Sequence, residues 1–327
     1  MSGVDLIRRI ACVASAALAL ASGTAFAQEW PAAKPVRVIV PFATGGSADV
    51  FGRLVAQRLQ EALGQSFVVE NRPGAGSIIG TDAAAKSAPD GYTLLVMSNT
   101  HTVNESLIPN KPFQLMRDFV GVAPINASDL VLVARSGLPS AQVADVLRAA
   151  RAKPDGMTYA SSGPGTPYHM AGELLKAMAG VKIVHVPYKG SAQAHTDLIG
   201  GQVDVNFDTI TALMPHIRAG RLRPLATSSL NRTPFAPDVP TVAEQGVPGF
   251  EGGAWLGFVA AAATPRPIVE RLNRELNQIL EEPDTRRRMS DAGSEILKTT
   301  PEEFAAFIRT EHAKWARVVR ESGTKLD

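Results

Sequence analysis

Three segments of this 327-residue chain place the same residue types between a β-branched run and an amphipathic one. Val36–Pro41 leads into Phe42-Ala43-Thr44-Gly45-Gly46-Ser47-Ala48-Asp49. Thr158–Ser161 leads into Ser162-Gly163-Pro164-Gly165-Thr166-Pro167, and Ile183–Val186 into Pro187-Tyr188-Lys189-Gly190-Ser191-Ala192. Glycines let the backbone turn tightly and approach a ligand, and a hydroxyl stands where each helix begins. First-turn N–H groups have no intrahelical partner and the helix dipole favours negative charge there, so each junction can hold an anion. Taken singly, each loop fits ordinary helix capping better than a ligand site. Three together, two of them one strand apart, point to a shared carboxylate site beyond the carboxyl ends of the strands.

Other chemistries find less support. Gly74-Ala75-Gly76-Ser77-Ile78-Ile79-Gly80 has its third glycine one place late for a dinucleotide fingerprint and reads as a structural turn and helix start. Lys189-Gly190-Ser191 reverses the order of a phosphate loop, and no G-x-S-x-G elbow occurs. The six histidines show no H-x-x-x-H or H-x-H spacing, so neither a metal nor a cofactor is expected. His169 falls in the first turn of a helix, where it could cap or touch ligand, and His195 reads as a surface or lobe-edge residue. An exported hydrolase or isomerase using Ser162, His169 and Asp208 stays open as a rival, but nothing sets up a base–nucleophile pair and no catalytic residue is assigned.

The elements that must position the loops follow from periodicity. Strands are predicted at Val36–Pro41, Phe67–Glu70, Thr93–Met97, Leu130–Ala134, Thr158–Ser161, Ile183–Val186, Val203–Phe207 and Leu225–Ser228, with a last one near Trp255–Ala260. A helix over Ala48–Leu63 puts Val50, Phe51, Leu54, Val55, Leu59 and Leu63 on one face and stops at Gly64. Near-continuous apolar strands alternating with amphipathic helices predict α/β architecture, with parallel sheets covered on both faces. Thr264-Pro265 and Thr300-Pro301-Glu302-Glu303 open two long C-terminal helices, the second with a capping box, that are expected to pack back across the first lobe.

Arg8-Arg9, the apolar run Ile10–Ala21 and Ala25-Phe26-Ala27 read as a secretory signal peptide over residues 1–27, with Gln28 as the mature start and a periplasmic destination. The single cysteine, Cys12, lies inside it, so disulfides are excluded from the mature chain. That segment carries Asp5, Arg8 and Arg9, so the formal charge of +2 falls to +1 on maturation. A nearly neutral chain with interspersed signs has no footprint for nucleic acid. Residues 28–327 are long for one core and comfortable for two.

The ordered motifs resemble the substrate-binding proteins of tripartite tricarboxylate transporters, the Bug family of periplasmic receptors, over essentially the whole mature chain. They are Pro41-Phe42 with Gly45-Gly46 and Asp49, Val69-Glu70-Asn71-Arg72-Pro73-Gly74-Ala75-Gly76, Pro89-Asp90-Gly91-Tyr92-Thr93, Ser161-Ser162-Gly163 with His169, Val186-Pro187-Tyr188-Lys189-Gly190-Ser191, and Gly200-Gly201-Gln202-Val203-Asp204. The resemblance implies a two-lobed periplasmic-binding-protein fold (Venus flytrap, type II-like), each lobe a mostly parallel sheet flanked by helices. Lobe 1 is expected over residues 28–125 plus 251–327 and lobe 2 over 126–250. It further implies a monomeric, non-enzymatic receptor that closes on a small organic carboxylate or amino acid and hands it to a membrane permease. A sensor subunit that presents the liganded form to a signalling protein would have the same site. The carried-over contacts are Phe42, Gly45, Gly46, Ser47, Ala48 and Asp49 on one lobe, with Thr100 as wall together with Thr102 and Asn104. On the other lobe they are Ser162, Thr166, Lys189, Gly190, Ser191, Ala192 and Asp208. Ala48 stands where many relatives carry threonine, so the identity of the ligand does not transfer.

Overall fold

The computed structural model describes residues 30–322, so the signal-peptide and mature-start readings lie outside the described residues. The chain begins β1 (Val36–Val40), α1 (Ser47–Leu63), β2 (Phe67–Asn71), α2 (Ile78–Ala85), β3 (Thr93–Ser98), α3 (Asn99–Leu107) and a one-turn α4 (Leu115–Asp118). A long strand β4 (Phe119–Arg135) leads to α5 (Val143–Ala152), β5 (Thr158–Ser161), α6 (Pro167–Ala179), β6 (Val184–Pro187), α7 (Ser191–Ile199), β7 (Val205–Thr209), α8 (Ile210–Arg218) and β8 (Leu222–Thr227). The chain then returns through β9 (Gly253–Ala261) to α9 (Arg266–Glu281), α10 (Pro283–Asp291), β10 (Glu295–Ile296) and α11 (Pro301–Ser322).

Two lobes are built on one shared strand. β1 pairs in parallel with β2 and β3, and β3 lies antiparallel to β9. β9 follows the first part of β4 from Phe119↔Ala261 to Asp129↔Gly253. From Leu130 onward β4 changes partners to β7 and β8, and β5 joins β7 and β6 in parallel. The expected parallel sheets are present as a three-stranded block in each lobe, and every antiparallel pair involves β4 or β9, the strands next to the crossings. Periodicity identified only Leu130–Ala134 of β4, because Gly121, Pro124, Asn126 and Ser128 interrupt its apolar pattern. Register shifts at Gly121/Ala123 and Pro124/Asn126 absorb the interruptions.

Residues of the central strands are buried on both faces, as covered sheets require, whereas the edge strands β2 and β6 are partly exposed. Val36, Val38 and Val40 pack with Phe51, Val55 and Leu59 of α1 and with Ile268, Leu272 and Leu276 of α9. Ile39 and Leu95 face the other way, onto Phe304 and Ile308 of α11. Both C-terminal helices therefore pack back on the first lobe. Thr300 and Glu303 form the expected capping box at α11: the Thr300 amide donates to Glu303 Oε2 at 2.9 Å, and the Glu303 amide to Thr300 Oγ1 at 3.2 Å. On α1, Gly64 ends the helix in the left-handed region with its amide on Gln60 O. Val50, expected on the buried face, is exposed instead, because that face centres on Phe51, Val55 and Leu59 and Val50 lies about 100° round the helix. In the second lobe, Leu130, Leu132 and Phe207 fill one side of the sheet and Val131, Val133 and Leu213 the other. Val103, Leu107 and Trp315 meet Met170 of α6 in a small apolar cluster that joins the lobes.

Candidate functional site

The carboxyl ends of β1, β3, β5 and β6 meet between the lobes around a narrow cavity. Four helix starts border it: Gly46, Ser47 and Ala48 of α1, Ser98 and Thr100 of α3, Thr166, Pro167 and Tyr168 of α6, and Gly190 and Ser191 of α7. Phe42, Trp255 and Leu256 supply apolar wall.

The four starts are not equivalent. Ser98 caps α3, accepting from the Thr100 amide at 3.3 Å while His101 Nδ1 accepts from the Ser98 amide at 3.1 Å. Thr166 caps α6, accepting from the His169 amide at 3.4 Å, with proline in the first turn. α1 and α7 begin instead at Gly46 and Gly190, and neither has a side-chain cap. Their first-turn amides thus retain donor capacity that a serine or threonine cap would have used. These two helices belong to opposite lobes, and a Cβ at Gly46 would stand 3.5 Å from Ser191 Oγ.

Hydroxyls complete the lining. Ser162 Oγ and Ser191 Oγ are 2.8 Å apart, and Ser47 Oγ meets Tyr168 OH across the cleft at 3.4 Å. Thr100 is fully buried and its Oγ1 has no hydrogen-bond partner. Burial, and next Asp208, raise the Tyr168 phenol well above its ordinary pKa, so it stays neutral and able to donate. No Lys, Arg, Asp or Glu lines the cavity. Such a lining offers an anion dipoles and neutral donors rather than a countercharge.

Of the residues inferred from sequence, Phe42, Gly46, Ser47, Ala48, Thr100, Ser162, Thr166, Gly190 and Ser191 line this cavity; Gly45, Asp49, Lys189, Ala192 and Asp208 do not. The Asp49 carboxylate accepts from the Gly45 amide at 3.1 Å, Arg53 Nε at 2.9 Å and Asn71 Nδ2 at 2.9 Å, so it braces the loop that carries Gly46. Gly45 lies against Ala192 of the facing lobe, and Lys189 is exposed beside an adjoining chamber. Asp208 Oδ2 is 3.0 Å from His195 Nε2. His195, expected at a surface or lobe edge, is buried by that pairing. Thr102 and Asn104 act as braces, donating to Asn99 O and Gly76 O at 2.7 Å each.

Ser98, Tyr168, Trp255 and Leu256 are among the wall residues that escaped the sequence reading. Tyr168 sits in the first turn after an anion loop, a signal that could have drawn attention to it. Trp255 comes from the crossing strand β9, and its ring is fixed by donation to Glu311 Oε2 at 2.9 Å; nothing local marks it. The rival hydrolase residues have other partners. Ser162 pairs with Ser191, His169 Nδ1 accepts from the Gly165 amide at 3.1 Å, and Asp208 pairs with His195.

Comparison with known proteins fits this geometry. The family profile described as tripartite tricarboxylate transporter family receptor, TctC, matches residues 51–324. Protein BugT of Bordetella pertussis is 40% identical over 296 residues, covering 90% of this chain and 91% of its own. The periplasmic binding protein BugD superposes with a TM-score of 0.86 at 34% identity, over 90% of this chain and 99% of BugD. An R. palustris protein solved with adipate gives 0.87 at 35%, over 90% and 98% of the two chains. MatC from Rhodopseudomonas palustris, solved with bound malate, gives 0.85 at 33%, over 89% and 100%. The chain belongs to the TctC family of tripartite tricarboxylate transporter receptors, whose members are periplasmic solute-binding proteins.

Proposed function

We propose that this protein captures a small carboxylate in the interlobe cavity and delivers it to a membrane transporter of the tripartite tricarboxylate type. The observation that carries the reading is the pair of glycine-capped helix starts, α1 and α7, that border one cavity from opposite lobes. A carboxylate between them satisfies amides and hydroxyls on both lobes at once, which is possible only when the cleft is closed. The ligand therefore favours the closed form by its differential contacts, and closure follows from binding energy. Charge-assisted hydrogen bonds in a partly dried cleft are the stronger kind, and a micromolar Kd needs only about −8 kcal/mol. Phe42, Trp255 and Leu256 receive the carbon skeleton. The adipate and malate in related structures support a small organic acid, with amino acids in the same chemical range. The family name supports the transporter partner.

Isothermal titration of residues 28–327 against adipate, malate and a panel of small acids and amino acids tests the reading. Thr100→Val should weaken binding of the acid that titrates by about tenfold or more, the value of one hydrogen bond to a charged group. It should leave the melting temperature unchanged or higher, because the hydroxyl it removes is buried without a partner. A panel with no binder, or a Thr100→Val protein with undiminished affinity, counts against the site. Delivery is tested separately, by uptake into proteoliposomes carrying the permease.

A further inference from the structure

A chamber of about 560 Å³ opens beside the ligand cavity, and Phe42 and Ser162 belong to both. We propose that this chamber is a second subsite, one that takes the distal anionic end of an elongated α,ω-dicarboxylate at Ser77 and Lys189. The inference rests on the carboxylate reading above and adds the class of carboxylate.

Ser77 is the first reason. It lines the chamber, is 2% exposed, and its hydroxyl has no hydrogen-bond partner. It stands at the start of α2 yet makes no side-chain cap bond, and its φ of 78° lies in the left-handed region. Gly74, Ala75 and Gly76 before it also have positive φ, at 126°, 47° and 60°. Holding Ala75 and Ser77 there strains the backbone. The loop is wedged against the other lobe: a Cβ at Gly76 would lie 2.8 Å from Pro164 O. A buried unpaired hydroxyl is destabilising, a cost that an anionic ligand oxygen would remove.

Charge is the second reason. Two lysines line the chamber, and they are not alike. Lys111 Nζ lies 3.0 Å from Glu105 and is neutralised there. Lys189 is exposed and forms no ion pair among the described residues, so its charge is available to a ligand from the facing side. Between the polar ends the wall is apolar, with Pro41, Ile108 and Pro112 from one lobe and Pro187 from the other. Such a wall suits a hydrocarbon spacer running from the first cavity past Phe42 and Ser162.

Calorimetric titration of residues 28–327 with straight-chain monocarboxylates and α,ω-dicarboxylates of matched length, from short to long, tests the subsite. The expected result is a dicarboxylate of one length that binds at least about tenfold tighter than its matched monocarboxylate. Lys189→Gln and Ser77→Gly should each bring that ratio towards one, and added salt should reduce it because Lys189 is exposed. Glycine suits the left-handed position, so loss of the ratio in Ser77→Gly is not a folding defect, which a melting curve confirms. Monocarboxylates that bind as tightly as their dicarboxylates, or a ratio that survives both substitutions, overturn the subsite and leave the carboxylate reading standing. Failure of both series to bind overturns the subsite, and the carboxylate reading falls with it only when the wider panel of small acids and amino acids is silent as well.

Discussion

Gly190→Ala separates closure from folding. Gly190 has a φ of 174°, extended backbone open to any residue, so alanine introduces no backbone strain. A Cβ there would stand 2.5 Å from Ala43 Cβ on the opposite lobe. The clash exists only when the lobes meet. Overpacking at a rigid contact costs about 1–3 kcal/mol, and all of it falls on the closed, liganded form. Affinity should drop roughly 5- to 150-fold, while the urea midpoint of the ligand-free protein holds because opening relieves the contact. Ala43→Gly removes the atom that is struck, so the double variant should regain most of the lost affinity. Titration of wild type, both single variants and the double variant with adipate gives the coupling energy directly. Wild-type affinity in Gly190→Ala would refute the closure argument. So would a loss that Ala43→Gly fails to rescue, since the new methyl would then be striking the ligand itself.

Glu311 should matter more through its acceptor than through its charge. Its Oε2 accepts from Trp255 Nε1 at 2.9 Å and Trp315 Nε1 at 3.0 Å. Glu311→Leu should cost about 1–3 kcal/mol per orphaned N–H and weaken ligand binding through Trp255, whereas Glu311→Gln retains an acceptor and should cost less. Urea unfolding followed by tryptophan fluorescence checks the order, and equal losses would contradict it. Stability should also fall with acidification. Burial pushes His101 from 6.5 down to about 4, and burial, His169 and Lys176 push His185 to about 3. A depressed folded-state value means that the unfolded chain binds the proton first. The stabilisation is therefore complete above about 6.5 and declines below it, by up to about 1.4 kcal/mol per pH unit for His101. His101→Gln keeps an acceptor for the Ser98 amide but does not titrate, so its urea midpoints between about pH 7 and pH 5 should slope less steeply than wild type. An unchanged slope would exclude His101 as a source.

Much of this protein is written locally. The apolar run Val36–Val40, the helix that ends at Gly64 and the Thr300–Glu303 capping box were each legible because nearby residues set the backbone conformation there. Glycine and hydroxyl residues at three strand-to-helix junctions likewise announced anion-ready helix starts. The sequence did not show which of those starts keep their amides uncapped. Nor did it show that a fourth, at Ser98, joins them, or that α1 and α7 meet from opposite lobes. Asp49 and Asp208 had the right chemistry for a site, but their oxygens are taken by Gly45, Arg53 and Asn71 in one case and by His195 and the Thr209 amide in the other. Trp255 reaches the cavity only because β9 runs back beside β4 at the lobe boundary. Local sequence therefore determined the elements and their capped or glycine-started ends, because those depend on dihedral preference and short-range hydrogen bonds. The site itself was decided by the order in which strands pair across the two lobes, since only that packing chooses which distant ends share a cavity and which polar atoms remain free to meet a ligand.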